Sequence, residues 1–242
     1  MTNVSWLNWL LELLFPTRCV SCRTLGKLLC EECASKLQPL DKEFCIVCDR
    51  PAVGGFTHPG CATRYTPERA LAGFWYKGPA PRLISALKFK QLYPLARVLA
   101  DLLVENLQER GIGFDGNALL LLPIPLSFWR KGARGFNQSE LLARALGGRL
   151  DLPVEVSVLR KVRDTEPLGQ KGMRREERSK RVWGVFAIPE GKEGVIQGKD
   201  ILLVDDVLTS GATAREATKV LKKSGAGQVW VLTFAKSRLW RS

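Results

Sequence analysis

Beyond about Tyr65, short continuous apolar runs alternate with stretches whose apolar positions recur at helical spacing. The runs at Leu71–Tyr76, Ala118–Ile124, Trp183–Ile188, Ile201–Val204 and Gln228–Phe234 predict strands. Ala80–Phe89, the leucine-rich Leu95–Glu109, a segment beginning near Asn137 to Ser139, and Ala214–Ser224 predict helices, and Glu190–Lys199 reads as a turn. Strands that are apolar throughout, not at every second position, are covered on both faces. The predicted class is therefore α/β, a parallel sheet flanked by helices, over residues 65–242. At the other end, Trp6, Leu7, Leu10, Leu13 and Leu14 recur at helical spacing up to Pro16 and predict an amphipathic helix over residues 1–17. That helix is expected to dock on its own protein or a partner; a polar face without Lys or Arg disfavours the membrane surface. Its apolar run is too short to span a bilayer and carries neither a basic leader nor a small-residue cleavage site. The expectation is a cytoplasmic protein with no transmembrane segment.

The intervening residues 18–64 follow neither rhythm. They hold all seven cysteines and the only histidine, in pairs with two residues between members: Cys19 and Cys22, Cys30 and Cys33, Cys45 and Cys48, His58 and Cys61. Two ligands at that spacing can turn onto one tetrahedral ion, so the segment reads as a small zinc-binding module. Eight ligands suit two ions. Short loops favour Cys19, Cys22, Cys30 and Cys33 around the first and Cys45, Cys48, His58 and Cys61 around the second, with a crossed pairing still open. Disulfides compete for the same residues, but a reducing compartment and an odd cysteine count disfavour them. The metal could serve a docking finger for nucleic acid or protein, or replace a core too small to form.

Composition sharpens the ligand class. The 242 residues are 45% hydrophobic, ample for a buried core, and carry 37 Lys and Arg against 24 Asp and Glu, a formal charge of +13. A balance this basic favours polyanions such as nucleic acid, nucleotides or pyrophosphate.

The densest chemistry lies in ILLVDDVLTSGAT, Ile201 to Thr213. The strand is expected to end at Asp205 and Asp206, placing two carboxylates where open α/β sheets bind ligands. The small residues Thr209, Ser210, Gly211, Ala212 and Thr213 lead into a helix whose free amides and positive dipole end suit a phosphate. Carboxylates beside an anion cradle call for a sugar phosphate. The stretch resembles the phosphoribosyl-pyrophosphate signature of type I phosphoribosyltransferases, and the resemblance implies that fold, with Asp205 to Thr213, Val207 and Leu208 included, as the binding segment.

Two basic stretches accompany it. PLSFWRKGARGFNQSELLARAL sets Arg130, Lys131 and Arg134 at the exit of the Ala118–Ile124 strand, where a polyanion could meet them and where type I enzymes receive pyrophosphate. Residues 160–181 hold nine basic side chains against four acidic ones, with Arg174, Arg175 and Arg178 among them, and resemble the mobile lid of type I enzymes; a solvated charged face is the alternative.

Taken with Lys88 in LKFK, the PIPL strand exit with RGFNQ, and Thr165, Gln170 and Arg178 ahead of VWGVFAI, these features resemble the ComF family of phosphoribosyltransferase-like proteins. The resemblance covers nearly all of the chain beyond Phe15. It implies binding of phosphoribosyl pyrophosphate with magnesium, ribose contacts and any catalysis from Asp205 and Asp206, a role for Lys88 and Arg134 at the ligand, and Asn137 and Gln138 beside pyrophosphate or an acceptor. It also implies natural transformation, with single-stranded DNA and a competence helicase as partners. Three features depart from the pattern: the fourth pair is His58 and Cys61, Thr165 and Gln170 stand further apart than expected, and Arg181 replaces an asparagine. Three readings follow: a ligand-binding competence factor, an active transferase moving phosphoribose to an unidentified acceptor, and an adaptor with a vestigial site. The short tail after Phe234 offers no evident acceptor pocket and favours the first.

Overall fold

The computed structural model describes residues 16–114, 119–127, 132, 134–163 and 183–238. Four parallel strands make the central sheet, in the order β1 (Arg69–Trp75), β6 (Val229–Lys236), β5 (Asp200–Leu208) and β2 (Leu119–Pro123). Neighbours pair in register, with Leu121 opposite Leu202 and Val204 opposite Leu232. Within each apolar run the side chains divide by parity. Leu202, Val204, Leu232 and Phe234 enter one core while Ile201, Leu203, Val229 and Val231 enter another, as period-two geometry requires of a strand covered on both faces.

The first core is closed by α2 (Ala80–Phe89), α3 (Pro94–Glu109) and α4 (Gln138–Leu150), the second by α5 (Ala212–Lys223). Helix α2 has the expected bounds, and α3 begins one residue early at Pro94, whose fixed φ suits a first helical turn. Asn137 caps α4, its side chain accepting from the Ser139 amide.

Other expected bounds move as well: β1, β2 and β6 shift by one or two residues at their ends, and three changes bear on the site. Strand β5 runs on through the acid pair to Leu208, because β6 extends to Lys236 and keeps pairing with it. Helix α5 starts at Ala212, so Ala212 and Thr213 form its first turn. The strand expected over Trp183–Ile188 shrinks to β4 (Phe186–Ala187), paired antiparallel with β3 (Arg160–Lys161); the left-handed backbone of Gly184 interrupts the extended chain before it. β3 and β4 root the ends of the basic segment, and Gly184 donates to Glu216 on α5.

The cysteine-rich segment, including α1 (Glu31–Ser35), lies along the β1 edge. Leu40 and Trp75 amides donate to Gly73 and Gln38 carbonyls, giving β1 a short antiparallel neighbour and covering a bare sheet edge. Cys19, Leu29, Cys33 and Leu37 belong to the first core and Ile46 to the second. Glu43 and Arg110 form an ion pair, and Arg110 also donates to the Ala72 carbonyl, fastening the segment to α3 and β1. Among the described residues no helix is long and apolar enough to cross a membrane. The amphipathic helix expected before Pro16 lies outside the described residues.

Candidate functional site

Asp205 and Asp206 sit where one flank of β5 loses its neighbour. β2 ends opposite Val204, where the Ile124 amide makes the last bond to that edge, while β6 continues on the other side. Asp206 shares the parity of Leu202 and Val204, facing the layer of α2 to α4, and is 5% exposed. Lys88, in the last turn of α2, forms an ion pair with its Oδ2. Asp205 keeps part of its surface open to solvent; its Oδ1 accepts from the Ser139 hydroxyl at 2.8 Å and from the Asp206 amide at 2.9 Å. Burial of the carboxyl, with the Asp206 charge next to it, pushes Asp205 up to about 7, against the opposing pull of Ser139 and Lys88. The ordinary value is 3.8.

The loop that follows is Thr209, Ser210 and Gly211. Thr209 is exposed, Ser210 is 2% exposed, and Gly211 has φ +71°, a conformation that favours glycine. The amides of Ala212 and Thr213 lie in the first turn of α5 and have no partner within the helix, a geometry suited to an anion. Leu208 is buried in the second core and Val207 packs against the first, so these two offer a ligand backbone, not side chains.

Arg134 stacks over Phe89 at 4.7 Å, one residue beyond Lys88, and its Nη1 donates to Gln138 at 3.1 Å. Asn137 and Gln138, expected beside pyrophosphate or an acceptor, are buried. Asn137 donates to the Ile124 carbonyl at 3.1 Å besides capping α4, so RGFNQ serves first to fix the strand exit. Ser139, which no motif singled out, carries that order to Asp205. Arg130, Lys131, Thr165, Gln170, Arg174, Arg175, Arg178 and Arg181 lie outside the described residues.

The cysteine pairs come together as adjacent sets, Cys19, Cys22, Cys30 and Cys33 in one and Cys45, Cys48, His58 and Cys61 in the other, with ligand atoms within 4.8 Å of one another. Tetrahedral thiolates about 2.3 Å from zinc stand about 3.8 Å apart, so both cages fit that ion. In the second, His58 Nδ1 lies 3.3 Å from Cys48 Sγ, while Nε2 lies 3.0 Å from the Pro51 carbonyl. A carbonyl only accepts, so the proton belongs on Nε2 and Nδ1 is left for the metal. Burial opposes ionisation of Cys19 and Cys48, yet amide donors around Cys19, and Arg50 with His58 around Cys48, bring each down to about 6. Burial and the neighbouring cysteines push Cys33 up to about 12 and raise Cys30 and Cys61, a mutual repulsion that a bound cation would relieve. Zinc held by these residues would supply cross-links, since four protein ligands at each cage would leave no position for chemistry.

One cavity departs from the sequence reading. Between the second cage and the ends of β1 and β6, Lys42, Phe44, Asp49, Pro51, Trp75, Lys236 and Arg238 line a space of about 410 Å³. Lys236 Nζ sits 4.8 Å over Phe44 and Arg238 4.9 Å over Trp75, so aromatic and cationic groups line the space together, with Asp49 paired to Lys236. It shares Phe44, Asp49 and Lys236 with a crevice that reaches Leu208 to Gly211. The zinc segment, which sequence reasoning had set apart, supplies one wall of this cavity.

Comparison with known proteins agrees with this architecture. The double zinc ribbon domain matches residues 10–63 and the phosphoribosyl transferase domain matches residues 132–238. The chain is 31% identical over 229 residues to the DNA utilization protein YhgH of Escherichia coli K12, covering 90% of this chain and 96% of that one. It is 28% identical over 234 residues to Competence protein F of Haemophilus influenzae, covering 92% and 98%. With Competence protein ComFC of Bacillus subtilis the identity is 26% over 230 residues, covering 86% and 84%. Similarity that spans both chains almost end to end, with a zinc ribbon ahead of a phosphoribosyltransferase domain, places this protein in the ComF family.

Proposed function

We propose that the protein binds phosphoribosyl pyrophosphate through its acid pair and phosphate cradle and acts in the cytoplasm on single-stranded DNA taken up during natural transformation. The observation that carries the ligand is the convergence of Asp205, the Thr209–Gly211 loop and Lys88 at the open end of β5. In this reading the cradle takes the 5-phosphate. Asp205, the more accessible acid, accepts from the ribose hydroxyls, and Lys88 holds Asp206 beneath it. Arg134 faces the pyrophosphate side. Asp205 also offers the hard oxygen donor that magnesium prefers, and the ion would offset pyrophosphate charge when bound.

DNA handling is supported by the charge of +13 and by the names of the relatives. Fluorescence anisotropy of a labelled single-stranded oligonucleotide tests it. Affinity should fall roughly 10–100-fold between 50 and 200 mM salt if a few phosphates are contacted. It should also change when phosphoribosyl pyrophosphate and magnesium are added. Binding that ignores both salt and ligand would sink this assignment; a helicase partner would then need its own case.

A second reading, transfer of phosphoribose to an acceptor, is favoured by the aromatic and cationic cavity beside the loop. Positioning and charge stabilisation would supply most of the rate. Pyrophosphate release that depends on an added planar acceptor would establish it.

A further inference from the structure

We propose that the second zinc cage is the back wall of the phosphate cradle, with Ile46 as the positioning residue, so that metal at that cage and ligand at the cradle stabilise each other. Three contacts carry this. Ile46 follows the ligand Cys45 directly, is 3% exposed, and packs in the core that holds Leu208, Ala212 and Ala214 on either side of the loop. A Cβ on Gly211 would stand 2.6 Å from Ile46 Cγ1 and 3.0 Å from the Ile46 carbonyl oxygen, so the loop backbone lies directly on the turn between Cys45 and Cys48. Asp49, next to the ligand Cys48, pairs at 2.6 Å with Lys236, itself 2% exposed and opposite Leu208 in the sheet.

The two cages differ in this respect. The first meets the fold at α2, where Arg82 donates to the Ser21 carbonyl, and in the core below it. The second closes a crevice shared by Phe44, Cys45, Ile46 and Asp49 on one side and Leu208, Thr209, Ser210 and Gly211 on the other. Loss of its ion frees the turn that seats Ile46, and the loop must then be ordered by the ligand alone. Coupling through binding is reciprocal, so a ligand in the cradle slows loss of that ion and not the other.

The ligand arm rests on the reading of the cradle as a ribose-phosphate site, and the experiment separates the two. In the full-length zinc-loaded protein, zinc release to a colorimetric chelator is followed with and without ribose 5-phosphate, whose binding is measured in parallel by calorimetry. Two release phases are expected, one slowed about tenfold by ligand and one unchanged. Bound ligand with both phases unchanged overturns the coupling; absent heat overturns the ligand reading. A second arm needs no ligand. Cys61→Ser should lose one ion and speed amide exchange in residues 209–213 while residues 99–107 of α3 stay protected; equal protection of the loop with and without the ion contradicts the proposal. Ile46→Ala should keep both ions yet bind ribose 5-phosphate about tenfold more weakly, and Ile46→Val should restore most of the affinity. Should Ile46→Ala fail to fold, the release phases of the wild type and the Cys61→Ser exchange decide the matter.

Discussion

Asp205 and Asp206 are adjacent in the chain yet live in different surroundings, and the titration of Asp205 follows from that. Asp206 is held by Lys88, whereas Asp205 has a hydroxyl and an amide as donors and a second carboxyl beside it. With Asp205 raised to about 7, the folded protein keeps a proton that the unfolded chain gives up above about 4. Stability attributable to this residue is therefore whole below that pH and is lost as pH rises toward 7. Asp205→Asn should stabilise the ligand-free protein by on the order of 2 kcal/mol at pH 8, discounted for the solvent that reaches the carboxyl, and by almost nothing near pH 4. Urea unfolding at the two pH values checks this; an equal effect at both would remove the cause assigned here. The pair itself was legible in VDDVLTSGAT. The division between its members was not, because it depends on β2 stopping opposite Val204 while β6 runs on, a fact of sheet stagger that local sequence does not encode.

Elements set where these side chains can reach. The α4 cap is the clearest case: Asn137 bonds the Ser139 amide and the Ile124 carbonyl at once, tying the β2 exit to the helix whose first turn touches Asp205. Asn137→Ala should cost about 2–3 kcal/mol, the loss of a cap and of a buried bond together, and should weaken phosphoribosyl pyrophosphate binding. Thermal unfolding and calorimetry report the two effects; a variant as stable as the wild type would contradict the structural role. Long periodic elements were readable in advance, α2 to the residue, since ten positions with prolines at the start leave little freedom. β3 and β4, at two residues each, carry no period to read.

At the scale of the molecule, the zinc ribbon is part of the core and not an appendage. Cys19 and Cys33 lie among the side chains of α2 and α3, and Ile46 among those around α5. Removing zinc should therefore lower the melting temperature of the whole protein by 10 °C or more, roughly the shift produced by several kcal/mol in a chain of this size. Differential scanning calorimetry after chelation tests this, and a sheet domain melting unchanged would contradict it. The cysteine spacing announced the metal. It gave no sign of the docking, because the anchors are single apolar residues, Leu29, Leu37 and Ile46, inside a segment without periodicity. The same blind spot concealed the 410 Å³ cavity, whose wall comes from both halves of the chain.

The central claim is that the open end of β5 is a working ribose-phosphate site. Isothermal titration of the zinc-loaded protein with phosphoribosyl pyrophosphate and magnesium addresses it directly, with Asp205→Asn/Asp206→Asn as the comparison. The account predicts saturable heat in the wild type, with proton release near pH 7 as Asp205 ionises, and no measurable heat in the double variant at the same concentrations. Silence in the wild type at millimolar ligand, or equal heat in a folded double variant, would contradict it.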